Sequence, residues 1–479
     1  MPGRDPERPN ILFILTDDQG CWAMGCAGNS ELKTPNLDRL AAMGTRFDSF
    51  CCASPVCSPA RASILTGRIP SQHGVHDWIR SGNAVVQYGK EGGPLIEYLK
   101  GKSAYTDVLA ESGYVCGLSG KWHLGDGHHA QKSNTFWRVH AQGGGPYYGA
   151  PIVDGDTVVN EARYITDVFT DWGLEFLETQ KDADTPFHLG VHYTAPHSPW
   201  GRGQHPKELY DEYLNNCAFE STPDVPAHPW AGGRKDADGR RKALSGYFAA
   251  ITAMDANVGR LLDALEAQGI LESTLLVFTS DNGMNMGHHG IWGKGNGTFP
   301  MNMYDTSVKV PMLMAQPGRV PAGEVCSALL SHYDLRPTLL EYCGLKDAES
   351  ERLPGVSFAP LLQGKGKAPR ENVVVFDEYG PVRMIRTETW KYVHRYPYGP
   401  HELYDLAGDP DEENNLIDSE AHTERVQSMK AELESWFLRY VDPALDGTHE
   451  GVTGKGQQDL AGPAGEGRTA WVPREPRKG

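Results

Sequence analysis

Ile11–Leu15, entered through Asn10, is an unbroken apolar run that leads through Thr16 into Asp17 and Asp18. A short run without polar alternation suits a strand buried on both faces, as in a parallel sheet. Phe187–Tyr193 and Thr274–Ser280 repeat the pattern, and the second ends in Asp281, Asn282 and Gly283. Helical periodicity lies between these runs. Thr34 is placed to cap a helix that has Pro35 at its first position and Leu37, Leu40 and Ala41 on one face. Leu244–Gln268 reads as a long amphipathic helix closed by Gly269. Strands alternating with helices predict an α/β fold, a large mostly parallel sheet sandwiched by helices. The pattern changes at a linker, Gly364–Pro369. Beyond it, β-like runs at Val373–Phe376, Val382–Ile385 and Trp390–His394 precede a helix over His422–Tyr440. The expected organisation is a large α/β domain over residues 1–365, a small antiparallel sheet plus helix over 366–440, and an extended tail over 441–479. That tail is rich in Gly, Pro and charge, which predicts either disorder or an arm lying on its own or another subunit.

Composition narrows the function. Of 479 residues, 39% are apolar and 22% charged, and 45 Lys and Arg against 62 Asp and Glu leave a net charge of −17. Without a long basic run, the chain is a poor nucleic-acid binder. A small anionic substrate needs only a local positive pocket. No run approaches the roughly 18 apolar residues of a membrane helix. Ile11–Leu15 is too short for a signal-peptide core, so the expectation is a cytoplasmic chain. The nine cysteines are irregularly spaced, as expected of reduced thiols.

In parallel α/β sheets, ligands bind beyond the carboxyl ends of strands. Asp17, Asp18, Asp281 and Asn282 end two such strands. Together they would make a hard oxygen site for Ca²⁺ or Mg²⁺ rather than zinc. The plainer alternative is that each Asp caps a turn. A second candidate is Cys57, at a proline-marked turn with Arg61 one helical turn on and Ala62–Leu65 reading as helical. A cysteine at a helix start beside a cation would be a reactive thiolate, and otherwise a buried structural thiol. Cys51 and Cys52 with Cys57 fit no strong zinc spacing.

Cys57-x-Pro59-x-Arg61 followed by Thr66-Gly67 resembles the signature of type I sulfatases, whose fold is alkaline phosphatase-like. Further blocks resemble that family in order: Pro9–Asp18, Thr34–Leu40, Gly120–Gly125, Ala195–His197, Ser280–Gly283, Trp292–Gly295 and His401–Leu406. The resemblance spans about residues 9–416. It implies that a maturation enzyme oxidises Cys57 to formylglycine, whose hydrate is the nucleophile. It implies one divalent cation, Ca²⁺ first and Mg²⁺ second, held by Asp17, Asp18, Asp281 and Asn282 together with the modified Cys57. Arg61 would stabilise the ionised diol, and Lys121 and Lys294 would bind sulfate oxygens. His197, with Lys294 as competitor, would protonate the leaving alcohol. His123 would deprotonate the second hydroxyl so that sulfate is expelled.

The expected activity is sulfate-ester hydrolysis, of a carbohydrate O-sulfate before an aryl sulfate. The rivals are a phosphate or phosphonate ester hydrolase on the same fold and a non-catalytic binding protein. His73, His76, Asp77, Trp78 and Arg80 are candidates for the pocket rim. His288 and His289 are read as packing residues before substrate contacts, and Lys309 as the ion-pair partner of Asp305.

Overall fold

The computed structural model describes residues 8–80, 95–233, 235–378, 381–449, 451–465 and 467–472. The first seven residues and the tail beyond Val472 lie outside the described residues. A ten-stranded mixed sheet runs through the molecule. Its strands are β1 (Asn10–Thr16), β2 (Thr45–Phe47), β3 (Val115–Lys121), β4 (Asn134–His140), β5 (Ala150–Asp154), β6 (Thr157–Glu161), β7 (Phe187–His192), β8 (Thr274–Ser280), β9 (Met312–Ala315) and β10 (Glu324–Cys326). The spatial order is β10-β2-β9-β8-β1-β7-β3-β4-β5-β6. The centre, β8-β1-β7-β3-β4, is parallel throughout, as the apolar runs predict. β9 pairs antiparallel to β8 and β2, and β5 and β6 add antiparallel ribbon at the other edge.

Alternate residues of the central strands feed two different cores. Ile11, Phe13 and Leu15 belong to one face, and Leu12 and Ile14 to the other. Leu275 and Val277 divide from Leu276 and Phe278 in the same way. The second face is covered by α1 (Pro35–Met43), α3 (Ile165–Thr179) and α4 (Ala237–Ala267), and the first packs on α2 (Cys57–Thr66).

Two helix starts differ from the sequence reading. Thr34 does not cap α1: its hydroxyl accepts from Gly25 N at 2.8 Å. The cap comes from α4, where the Asp255 carboxylate accepts from Asn36 N and Leu37 N at 3.1 and 2.7 Å. α4 itself begins at Ala237, because the Asp236 carboxylate caps Gly239 N at 2.7 Å. Gly269, at φ 67°, follows its last turn as expected.

The small sheet runs β11 (Asn372–Asp377), β12 (Val382–Thr387), β13 (Trp390–Arg395) and β14 (Glu402–Asp405), antiparallel throughout, with α5 (Thr423–Tyr440) on one face. Val374, Phe376, Ile385 and Leu403 meet Met429, Leu433 and Phe437 of α5. The opposite residues, Val373, Val375, Met384 and Val393, join the large-domain core. A buried ionic cluster fastens the same junction. Asp305 is engaged by Arg386 at 3.0 Å and Lys391 at 2.5 Å, and Lys391 also pairs with buried Glu412. Asp305 therefore has partners other than the Lys309 expected from sequence. The described part of the tail is ordered against its own chain: Gln457 bridges to Ile79, and Trp471 to Gln457. Among the described residues, no helix is long and apolar enough to cross a membrane.

Replacing Lys391 with Met should destabilise the protein by about 3 kcal/mol, because it leaves Asp305 and Glu412 buried beside one cation fewer. Chemical denaturation followed by tryptophan fluorescence would measure the loss, and an unchanged midpoint would count against the cluster as the fastening.

Candidate active site

Pairing of Thr16 with Ser280 sets the ends of β1 and β8 side by side, so Asp17 and Asp18 emerge next to Asp281 and Asn282. Ligand atoms of Asp17, Asp18 and Asp281 lie within 4.8 Å of one another, and so do those of Asp17, Cys57 and His197. Cys57 is the first residue of the fully buried helix α2, which places its Sγ at the carboxylates and Arg61 one turn behind it. Arg61 Nε donates to Asp281 at 2.9 Å, and its Nη1 donates to the Lys121 carbonyl at 3.1 Å. Lys121, at the end of β3, pairs with Asp17. Lys294 Nζ lies 2.5 Å from Asp18 and 2.7 Å from Cys57 Sγ. Asn282 Nδ2 donates to Asp18 at 2.8 Å. Asp17, Asp18, Cys57, Arg61, Lys121, Asp281, Asn282 and Lys294 therefore form one cluster.

Three carboxylates face three cations in this buried space. Two acceptors are left over: Asp17 Oδ1 and Asn282 Oδ1 are buried with no hydrogen-bond partner. Buried polar atoms are nearly always satisfied, so two orphaned oxygens in an all-oxygen donor set suit a hard divalent cation. Burial pushes the Cys57 thiol up to about 12, with the Asp17 charge adding to it. As plain cysteine it is a neutral thiol, so the reactive-thiolate reading fails: desolvation outweighs the helix start and the nearby lysines. Burial works against the Lys294 charge, but Asp18, Cys57 and Asp17 outweigh it and hold the ammonium well above its ordinary value.

Both histidines have one ring nitrogen fixed by a main-chain carbonyl. His123 Nε2–H donates to Ile79 O at 2.8 Å, leaving Nδ1 without a partner. His197 Nδ1–H donates to Ser198 O at 2.7 Å, and its Nε2 lies 3.7 Å from Asp18 Oδ2. A carbonyl only accepts, so each tautomer is set. Burial, then the Lys121 charge, holds His123 well below the usual histidine range, so it is neutral. Asp18 and His123 take left-handed φ values of 64° and 55°, a conformation that costs a non-glycine residue about 1 kcal/mol and gathers at functional sites.

The cluster opens into a cleft of about 570 Å³. Of the proposed rim residues, only Trp78 lines it. His73 is buried against Ser63, His76 beside Trp471, and Asp77 accepts from Trp78 N, while Arg80 is exposed outside the cleft lining. The helix ends at His73, and beyond it Trp78 and its neighbour Ile79 are the residues of the segment that line the cleft. His288 packs on Trp22 and His289 stacks on Tyr304, as packing residues. Trp200, Trp292, Gln142 and Asn296 also line it; Trp292 belongs to the Trp292–Gly295 block, while the other three carried no recognisable motif. Gly143 and Gly144 lie against the histidines: a Cβ at either would fall 2.2 Å from His123 Nε2 or 2.9 Å from His197 Cε1.

The Sulfatase family model matches residues 9–345, and the model for the C-terminal part of N-sulphoglucosamine sulphohydrolase matches 287–437. An N-acetylglucosamine-6-O-sulfatase of Bacteroides thetaiotaomicron is 28% identical over 95% of this chain and 91% of its own. Human arylsulfatase A is 30% identical over 91% of this chain and 92% of its own. A solved structure described as bound to its substrate D-glucosamine-2-N,6-O-disulfate superposes with a TM-score of 0.78 at 25% identity, covering 92% of this chain and all of that one.

A Gly143→Ala variant should lose about tenfold in turnover, since its methyl group displaces the His123 ring from Ile79. Gly201→Ala, where a Cβ meets nothing within 4 Å, is the control and should match the parent. Equal rates for both variants would show that the glycine does not seat His123.

Proposed function

The chain belongs to the sulfatase family and is a sulfuric ester hydrolase of alkaline phosphatase-like fold, and from that premise we propose that it hydrolyses a carbohydrate O-sulfate and releases inorganic sulfate, using an oxidised Cys57 and one divalent cation. The observation that carries this reading is the convergence of Asp17, Asp18, Asp281 and Asn282 on Cys57, with Asp17 Oδ1 and Asn282 Oδ1 buried and unpartnered. These four side chains would hold the cation, Ca²⁺ by the hardness of the donors and Mg²⁺ in its place. When bound, it supplies Lewis-acid polarisation of the sulfuryl oxygens. Formylglycine at position 57, made by a maturation enzyme, supplies a hydrated aldehyde as the nucleophile.

The chain's own groups do the rest. Lys121 and Lys294, held by Asp17 and Asp18, present their ammonium groups to the sulfate oxygens at position 57, positive charge that is already in place. Arg61, held by Asp281 and the Lys121 carbonyl, keeps position 57 beside positive charge. His197, as the imidazolium with Nδ1–H held by Ser198 O and a second proton on Nε2, gives that Nε2 proton to the leaving alcohol and is left neutral. Neutral His123 takes one through Nδ1 as sulfate departs. Trp78, Trp200 and Trp292 offer aromatic faces for a sugar ring, and Gln142 and Asn296 offer amides for its hydroxyls. The match to an N-acetylglucosamine-6-O-sulfatase and the likeness to a solved structure described as bound to a glucosamine disulfate substrate support a hexosamine sulfate.

Sulfate release from glucosamine-6-sulfate, an aryl sulfate and an aryl phosphate would be compared. The sugar sulfate should be turned over fastest. Cys57→Ala should abolish release, and chelation should remove it until Ca²⁺ or Mg²⁺ is returned. Faster aryl phosphate cleavage, or an active Cys57→Ala variant, would contradict the reading.

A further inference from the structure

The described arm at residues 451–472 lies beyond both family segments, which end at 345 and 437. It doubles back on itself, with Gln458 N donating to Ala470 O and Val472 N to Gly456 O. Ala461, Ala470 and Trp471 give it a small core of its own, with Leu445 and Val452 packed against them. Its inner edge runs along the back of the cleft wall formed by Trp78 and Ile79.

The contact is built around Gln457, which is fully buried. Its N–H donates to Trp78 O at 2.8 Å, and its carbonyl accepts from Arg80 N at 2.9 Å. Its side-chain Oε1 accepts from His76 N, and its Nε2 donates to Gly74 O, each at 2.9 Å. Gly456 N donates to the Asp77 carboxylate at 3.1 Å. Gly456 sits at φ 104°, and a Cβ there would come within 3.2 Å of Trp78 and Arg80, so the two chains lie in direct contact.

The other ends of the same peptide groups reach the site. The peptide between Trp78 and Ile79 is held by Gln457 at its carbonyl and by the Ser58 hydroxyl at its N–H, 3.0 Å away. The next peptide is held by Gln457 at the Arg80 N–H and by His123 Nε2 at the Ile79 carbonyl. Ser58 closes the loop by donating to His123 O at 3.0 Å. Two successive peptide planes are thus clamped between the arm on one side and the neighbour of Cys57 and His123 on the other. A single carbonyl orients the His123 ring, so its placement depends on what fixes that carbonyl.

We infer that Gln457 is a positioning residue for sulfate-ester hydrolysis: through the Trp78–Arg80 segment the C-terminal arm fixes the carbonyl that sets the orientation of His123. This rests on the reading of His123 as the base given above.

The test uses the full-length chain with Gln457→Ala, His123→Ala, the double variant, and Lys455→Ala as an exposed arm control. In unmodified protein, Gln457→Ala removes the acceptor of the His76 amide and should raise hydrogen exchange there at least tenfold. Because that side chain seats the backbone bonded to Trp78 O and Arg80 N, exchange at Ile79 and Arg80 should rise with it, with the amides of Ile11–Leu15 unchanged. In matured enzyme, kcat should fall about tenfold in Gln457→Ala and remain at the parent value in Lys455→Ala. The double variant should be no slower than His123→Ala alone, because both changes act through one ring. Unchanged exchange at Ile79, or losses that multiply in the double variant, would overturn the inference. Parent turnover in His123→Ala would overturn the reading of His123 as base and the inference with it, whereas a dead His123→Ala beside a fully active Gln457→Ala would overturn the inference alone.

Discussion

The parallel pairing of β1 with β8 sets Thr16 beside Ser280, and both strands leave the sheet at the same edge with carboxylates as their next residues. Bringing Asp17, Asp18 and Asp281 together in a buried space is unfavourable by itself, because like charges repel and lose their water. The surrounding fold answers that constraint. β3 delivers Lys121 to Asp17, α2 delivers Arg61 to Asp281, and the loop after β8 returns Lys294 to Asp18. Two oxygens are left without a donor, and the cluster has place for one more positive group. A site that is electrically balanced before the cation binds becomes strongly attractive to a sulfate ester once it does.

This arrangement also explains why position 57 is a poor nucleophile as a plain cysteine. A thiolate would add negative charge beside Asp17 at a buried position, and burial, then the Asp17 charge, push the thiol up to about 12. The two histidines are treated alike: a main-chain carbonyl takes one ring N–H, which leaves the second nitrogen for the proposed proton transfer.

Much of this was legible along the chain, for physical reasons. The apolar runs at Ile11 and Leu275 feed both faces of the sheet, so their burial pattern and the position of their terminal acids follow from composition alone. The Cys57–Arg61 spacing places both residues on one helix face. What was not legible depends on contacts between distant segments. Thr34 has the chemistry of a cap, yet Asp255 from another helix performs it. Asp305 finds Lys391 and Arg386 rather than its sequence neighbour Lys309. Of the rim segment His73–Arg80 only Trp78 and Ile79 reach the cleft, and its backbone is clamped by a buried glutamine nearly four hundred positions later. No local periodicity encodes such a pairing.

The most direct test of the account is the chemical state of position 57 in protein that is releasing sulfate. Mass spectrometry of the tryptic fragment Phe47–Arg61, which holds Cys51, Cys52 and Cys57, would read it. The account predicts loss of the thiol and gain of an aldehyde at Cys57 alone, with Cys51 and Cys52 intact. A full complement of unmodified Cys57 in actively hydrolysing enzyme would contradict it.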